Sequence, residues 1–120
     1  PPWVDPETGR SFKQTLADDG SFAPADAARL AAAVRNFLAL VRKHNPHAAI
    51  VWAYGMLSSG LLPLLRDGLD QYRTVSGDER VYLLELPEAR GDTIGARQHP
   101  GAAAHRAAAN CLAEFLRSVL

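Results

Sequence analysis

The residues Gly95-Ala96-Arg97-Gln98-His99-Pro100-Gly101 form a polar loop that presents one histidine, follows a strongly apolar segment and runs into an alanine-rich helix. Proline suits the first helical position, where its missing N–H has no intrahelical partner. On that placement His99 stands beside the positive end of a helix dipole, which favours the neutral imidazole over imidazolium. A neutral ring can accept a proton, as a general base must. The same spacing also fits a surface histidine that caps a helix by chance, and residue types alone leave both readings open. His105, one and a half turns into the helix, suits a structural hydrogen bond better than catalysis.

The elements that must position this loop are legible from periodicity. Pro24-Ala25-Asp26 opens a helix with a proline and an acid in its first turn. Ala27, Leu30, Ala31, Val34, Phe37, Leu38 and Val41 then form one apolar stripe. Arg29, Arg35, Asn36, Arg42 and Lys43 lie away from the stripe as a solvated face, and Asn45-Pro46 stops the helix. Ala48 to Tyr54 is apolar without alternation, the signature of a strand in a parallel sheet covered on both faces. Gly55 ends it, and Met56 to Gly60 form a turn. Leu61, Leu62, Leu65, Leu69 and Tyr72 make the next helical stripe, with Ser58 or Ser59 as its expected cap. Val75 to Asp78 read as a turn, Val81 to Pro87 as a second strand, and about Pro100 to Leu120 as the last helix, with Cys111 on its apolar side as a buried thiol. A strand-helix-strand unit of this kind closes right-handed. Both strands then point their C-terminal ends to one edge, where ligands of open α/β sheets bind. The His99 loop leaves from that edge.

The chain of 120 residues has 48% hydrophobic and 22% charged residues and no formal net charge, and nothing in that balance suggests nucleic acid or an anionic membrane, either of which calls for a basic face. No apolar run approaches the length of a bilayer span. The four histidines, His44, His47, His99 and His105, include no i, i+4 pair, and no metal site is expected. Residues 1–23 carry no lasting period and read as a long loop, with Trp3 either lining a substrate groove or pinning the loop.

His-Pro-x-x-x-x-His leading into a helix after a strand-helix-strand unit resembles the last sequence block of the SGNH (GDSL-type) hydrolases. It is most similar to their carbohydrate esterase family 2 deacetylases. The segment from His44 to Gly55 likewise resembles the strand that precedes that block, and the resemblance covers residues 24–120. It implies that residues 1–120 are the C-terminal part of a single three-layer α/β/α, flavodoxin-like domain. The family's nucleophilic serine and the glycine and asparagine of its oxyanion hole would lie before Pro1. His99 matches the family's general base. Most members place an aspartate three residues upstream, where this chain has Ala96; some members of the esterase branch work as a Ser-His dyad, the ring held by a backbone carbonyl. By that analogy a carbonyl near Arg97 or Gln98 orients the ring. Apart from the analogy, Asp92 could reach the ring if the loop folds over, and Glu85 and Glu88 are further carboxylate candidates with no motif behind them. Tyr54, Gly55 and Met56 join Trp3 as expected substrate-lining residues. The implied substrate is an acylated carbohydrate or other small ester, without a cofactor. The implied location is secreted or periplasmic, with the cytoplasm as the alternative.

The chain also has its own serines at the active edge, but Gly55-Met56-Leu57-Ser58-Ser59-Gly60 does not match a Gly-x-Ser-x-Gly elbow. Two parallel strands apolar on both faces need further strands beside them. The N-terminal half of the fold, as a preceding segment or a separate chain, or a second copy, is therefore expected as partner. The competing reading is a non-catalytic binding or assembly module, in which Ala96 marks a decayed triad.

Overall fold

The computed structural model describes residues 3–4, 6–12, 19 and 21–120. In chain order the elements are β1 (Trp3–Val4), β2 (Ser11–Phe12), α1 (Pro24–His44), β3 (Ile50–Gly55), α2 (Leu62–Ser76), β4 (Val81–Leu86) and α3 (Ala102–Val119). Short 3-10 turns at Gly91–Thr93 and Ala96–Gln98 lie between β4 and α3. The expected loop at the start thus contains an antiparallel ladder, Trp3 with Phe12 and Val4 with Ser11. The expected substrate contact of the Trp3 side chain lies outside the described residues.

β3 and β4 pair in parallel from Ile50↔Val81 to Gly55↔Leu86, so β3-α2-β4 is the expected βαβ unit. α1 and α2 cover one face. Val34, Leu38, Leu65, Leu69, Tyr72 and Val81 form the buried cluster, with Ile50, Trp52, Tyr54 and Leu83 packed against it. The alternation of a strand turns Tyr82 to the other face, where its ring meets Phe115 of α3 edge-on at 5.6 Å. Ala104 and Ala108 are the buried residues of α3, small enough to bring the helix close. Cys111 is only half buried, its Sγ 3.7 Å from the Glu85 carbonyl oxygen.

The strands are less covered than their composition suggests. Ala53 and Glu85 are exposed, because among the described residues each strand has one neighbour and one free edge. Phe37, expected on the buried stripe of α1, is 54% exposed and touches Trp52 edge-on at 5.5 Å. The stripe that docks on α2 is narrower: Ala31, Val34 and Leu38. The serines expected to cap α2 do something else. Ser58 Oγ accepts the Gly60 N–H at 3.1 Å, and the Ser59 backbone carbonyl accepts the Leu62 N–H at 3.0 Å. α2 ends at Gly77, whose φ of 69° provides the left-handed closing residue.

Arg42, read from the sequence as a solvated charge, is the main polar tie of the fold. Its Nε donates to Asp78 Oδ2 at 2.7 Å, and its Nη1 donates to the carbonyls of Asn45 at 2.8 Å and Ala48 at 2.6 Å. Asp78 also accepts from Tyr72 Oη at 3.1 Å and the Arg80 N–H at 3.0 Å. One guanidinium thereby joins the end of α1, the entry to β3 and the turn before β4. Partial burial pushes the Asp78 carboxyl up, but the Arg42 guanidinium, Arg80 N–H and Tyr72 hydroxyl outweigh it and hold the group below its ordinary value.

Two predictions follow from this packing. A Cβ on Gly68 would stand 2.8 Å from Val34 Cβ and 3.3 Å from Ala31 Cα, so α1 and α2 approach through a glycine. Gly68→Ala gains about 1 kcal/mol of helix propensity yet is expected to destabilise by a net ~1–2 kcal/mol through overpacking, measured by urea denaturation; a more stable variant would refute the close crossing. Asp78→Asn is expected to cost about 2 kcal/mol at pH 7. Because the folded carboxyl titrates below its unfolded counterpart, the stabilisation is complete above the unfolded pKa of about 3.9 and is lost as pH falls through the folded value. The gap between parent and variant in urea midpoints should accordingly close below about pH 4.

Candidate active site

The loops that leave the C-terminal ends of β3 and β4 are tied to each other. Gly55 has φ 141°, and a Cβ there would lie 2.5 Å from the Leu86 carbonyl oxygen, so only glycine admits the strand partner at this point. The next residue, Met56, has φ 69° and sits at the centre of a tight turn in which the Leu57 N–H donates to the Gly55 carbonyl at 2.9 Å. A turn of three residues with positive φ at its centre is rare and strained. The Met56 carbonyl then accepts the Ala89 N–H at 2.7 Å, joining the exit of β3 to the exit of β4.

From Arg90 onward the chain builds the histidine loop. Ile94 and Pro100 form an antiparallel bridge. On either side of it the Gly101 N–H donates to the Thr93 carbonyl at 2.8 Å and the Gly95 N–H to the His99 carbonyl at 2.7 Å. The His99 N–H donates in turn to the Ala96 carbonyl at 3.1 Å, so the backbone of His99 is held through both its donor and its acceptor. The two strands of this small ladder touch through glycines: a Cβ on Gly95 would be 3.0 Å from Gly101 Cα. Arg97 and Gln98 at its tip have φ of 54° and 64°. Among the described residues, the non-glycine residues with positive φ are Met56, Arg97 and Gln98, and all three lie at this edge of the sheet. Left-handed non-glycine residues cost on the order of 1–3 kcal/mol each and cluster where function holds them.

The helix does not begin at Pro100. α3 starts at Ala102 with Gly101 as its N-cap, and His99 is extended at φ −90° and ψ 159°. The residue before a proline is driven out of the helical region, and the bridge with Ile94 keeps Pro100 in the ladder. His99 therefore stands ahead of the helix instead of on its first turn.

The His99 ring is exposed. Among the described residues it forms no hydrogen bond, neither with Asp92 nor with the carbonyls of Arg97 or Gln98; all three residues are exposed beside it on the same loop. Glu88 pairs with Arg90 at 2.9 Å and is not engaged with the histidine. Gly55 and Met56 lie at the loop edge, whereas Tyr54 packs on the core beneath. His105 is exposed on α3 and, contrary to expectation, its ring has no hydrogen bond among the described residues, its backbone N–H donating to the Gly101 carbonyl at 3.1 Å. No group of three His, Cys, Asp or Glu among the described residues is arranged to hold a metal ion. Residue types in the loop did not disclose Thr93, Gly95 and Gly101 as its frame; the two glycines flanking the histidine motif were the available signal.

The parallel unit with its flanking helices matches the C-terminal part of an esterase fold. The chain is similar, at 36% identity and TM-score 0.88, to an acetyl xylan esterase from the rumen bacterium Butyrivibrio proteoclasticus, over 98% of this chain and 32% of that one. It also shares the fold, at 24% identity and TM-score 0.69, of an active-site mutant of a family two carbohydrate esterase from Clostridium thermocellum, solved in complex with celluohexase, over 98% of this chain and 41% of that one. The structural neighbours are thus an acetyl xylan esterase and a family two carbohydrate esterase, the group that the sequence resembles, and the chain spans less than half the length of either. No protein-family model matches the chain, and no curated protein matches it.

The ladder is testable apart from any reaction. A Cβ on Gly101 would stand 3.0 Å from the Thr93 carbonyl oxygen and 3.2 Å from Gly95 N. Gly101→Ala is expected to speed amide hydrogen exchange at Gly95 roughly tenfold while leaving the amides of α2 unchanged. Unchanged exchange at Gly95 would mean that the loop is not closed by this contact.

Proposed function

We propose that the chain supplies the general base, His99, of an SGNH-type carbohydrate esterase that removes acetyl groups from acylated sugar polymers. The observation that carries the reading is the convergence of backbone strain and hydrogen-bonded support at the C-terminal sheet edge on one exposed histidine. The likeness to an acetyl xylan esterase, over 98% of this chain and 32% of that one, supports a carbohydrate ester as the substrate class.

In the proposed reaction His99 takes the proton of a serine hydroxyl as its oxygen attacks the ester carbonyl. The tetrahedral intermediate collapses, and the imidazolium returns the proton to the departing sugar hydroxyl. His99 next deprotonates a water, which attacks the acyl-enzyme; acetate leaves and the serine is restored. With Ala96 in place of an upstream aspartate, the ring is oriented by a carbonyl near Arg97 or Gln98 once the domain is complete, in a Ser-His dyad, or by Asp92. The serine belongs to the remainder of the fold. α1 and α2 lie on one face of the sheet, and successive right-handed crossovers on one face advance the sheet in one direction. A parallel strand of that remainder, leading into α1 by way of the β1–β2 ladder, accordingly falls on the free edge of β3, where Phe37, against Trp52, is 54% exposed. A polymeric substrate implies action outside the cytoplasm.

The test is intact-mass spectrometry of the purified protein, with every polypeptide that accompanies it, after treatment with a serine-reactive phosphonate. The expected adduct lies outside residues 1–120 and disappears with His99→Ala. An adduct within these residues would transfer the nucleophile to Ser58 or Ser59. Absence of any adduct, beside a labelled control hydrolase, would favour the non-catalytic binding module.

A further inference from the structure

We propose that Thr93 is the positioning residue of the histidine loop, its hydroxyl fixing where His99 stands; the inference rests on His99 being the base. Between Gly91 and Gly101 the Thr93 side chain is the one that forms hydrogen bonds among the described residues, and it forms two. Its Oγ1 accepts the Arg90 N–H at 2.7 Å and donates to the Arg90 carbonyl at 2.8 Å. The hydroxyl thereby anchors the loop to the chain just beyond β4, close to the Ala89 N–H that is bound to Met56.

The Thr93 carbonyl carries this anchorage onward. It accepts the Gly101 N–H at 2.8 Å, and the following rung of the ladder is the bond from Gly95 N–H to the His99 carbonyl at 2.7 Å. Thr93 is six positions upstream of His99 in sequence but one rung away in space. The His99 ring has no side-chain partner among the described residues, so the backbone ladder decides where it stands. A tilt of the ladder would carry His99 with it, since both backbone groups of His99 are bonded within the loop. The hydroxyl at the base of the ladder, bonded to both backbone groups of Arg90, resists that tilt. Thr93 is half-buried and its hydroxyl bonds only to the Arg90 backbone among the described residues, so its effect passes through the backbone.

The test compares Thr93→Ser, which keeps the hydroxyl, with Thr93→Ala and Thr93→Val, which remove it, Val preserving the shape. Hydrolysis of 4-nitrophenyl acetate is measured on the whole esterase, the form that takes up the phosphonate. Misplacing a catalytic group by about 1 Å costs on the order of 100-fold, and a smaller tilt is expected to lower kcat roughly tenfold in the Ala and Val variants. KM and the pH at which the rate falls should be unchanged, and Thr93→Ser should match the parent. Equal kcat in all variants, a loss confined to KM, or a Ser variant as impaired as Val would overturn the proposal. If Thr93→Val does not fold, as judged by circular dichroism and urea midpoint, the contrast between Ser and Ala decides. His99→Ala separates the two readings. Activity surviving that change would sink the assignment of the base, whereas activity lost there but untouched by the Thr93 variants would sink this inference alone.

Discussion

The site depends on one close approach between backbones. Because Gly55 has no Cβ, β3 can remain paired with β4 to its last residue, and the Met56 carbonyl can reach the Ala89 N–H beyond it. That hydrogen bond sets the point from which the histidine loop departs. Any side chain at position 55 would meet the Leu86 carbonyl and part the strands where the two exits must stay together. Everything downstream, from the Arg90–Thr93 turn to the ladder around His99, inherits its position from this junction.

The two edges of the sheet are built differently. At the N-terminal edge, Arg42 and Asp78 are partly covered, with side chains 19% and 14% exposed, and their polar atoms are bonded to several segments at once. This arrangement satisfies charge, as a partly buried ion pair must. The shallow groove lined by Arg73, Thr74, Gly77, Asp78 and Glu79 lies at this edge, away from His99. At the C-terminal edge the polar groups are mainly backbone, the residues are exposed, and left-handed conformations are tolerated. Stability is concentrated at one edge and strained presentation at the other.

The fold was legible where a local signal and a global requirement coincide. Pro24 and Asn45-Pro46 bracket α1 because proline acts on backbone geometry whatever the surroundings. The apolar runs disclosed both strands and their parallel sense, since only covered parallel strands dispense with alternation. The histidine loop was found by its motif, but its shape was not. Pro100 satisfies the rule for a first helical position, yet the helix begins at Ala102 after Gly101 as N-cap, because the contact of Gly101 with Gly95 lies six residues away and no local preference encodes it. Arg42 looked solvated for the same reason: its partner Asp78 is 36 positions distant. Phe37 keeps the helical period of the core but sits at the border of the sheet, where periodicity cannot tell covered from open.

The reach of Arg42 also bears on the order in which the structure forms and comes apart. Its bonds to Asp78 and to the Asn45 and Ala48 carbonyls require the end of α1, the entry to β3 and the turn before β4 to be in place together. Directional charge-assisted bonds have little strength until that geometry is reached. Apolar docking of α1 on α2 needs only approximate placement and can come earlier. On that ordering the guanidinium would close late, and its energy would fall more on the rate of unfolding than on the rate of folding. Such a clasp would hold α1, β3 and the turn before β4 together once they have met.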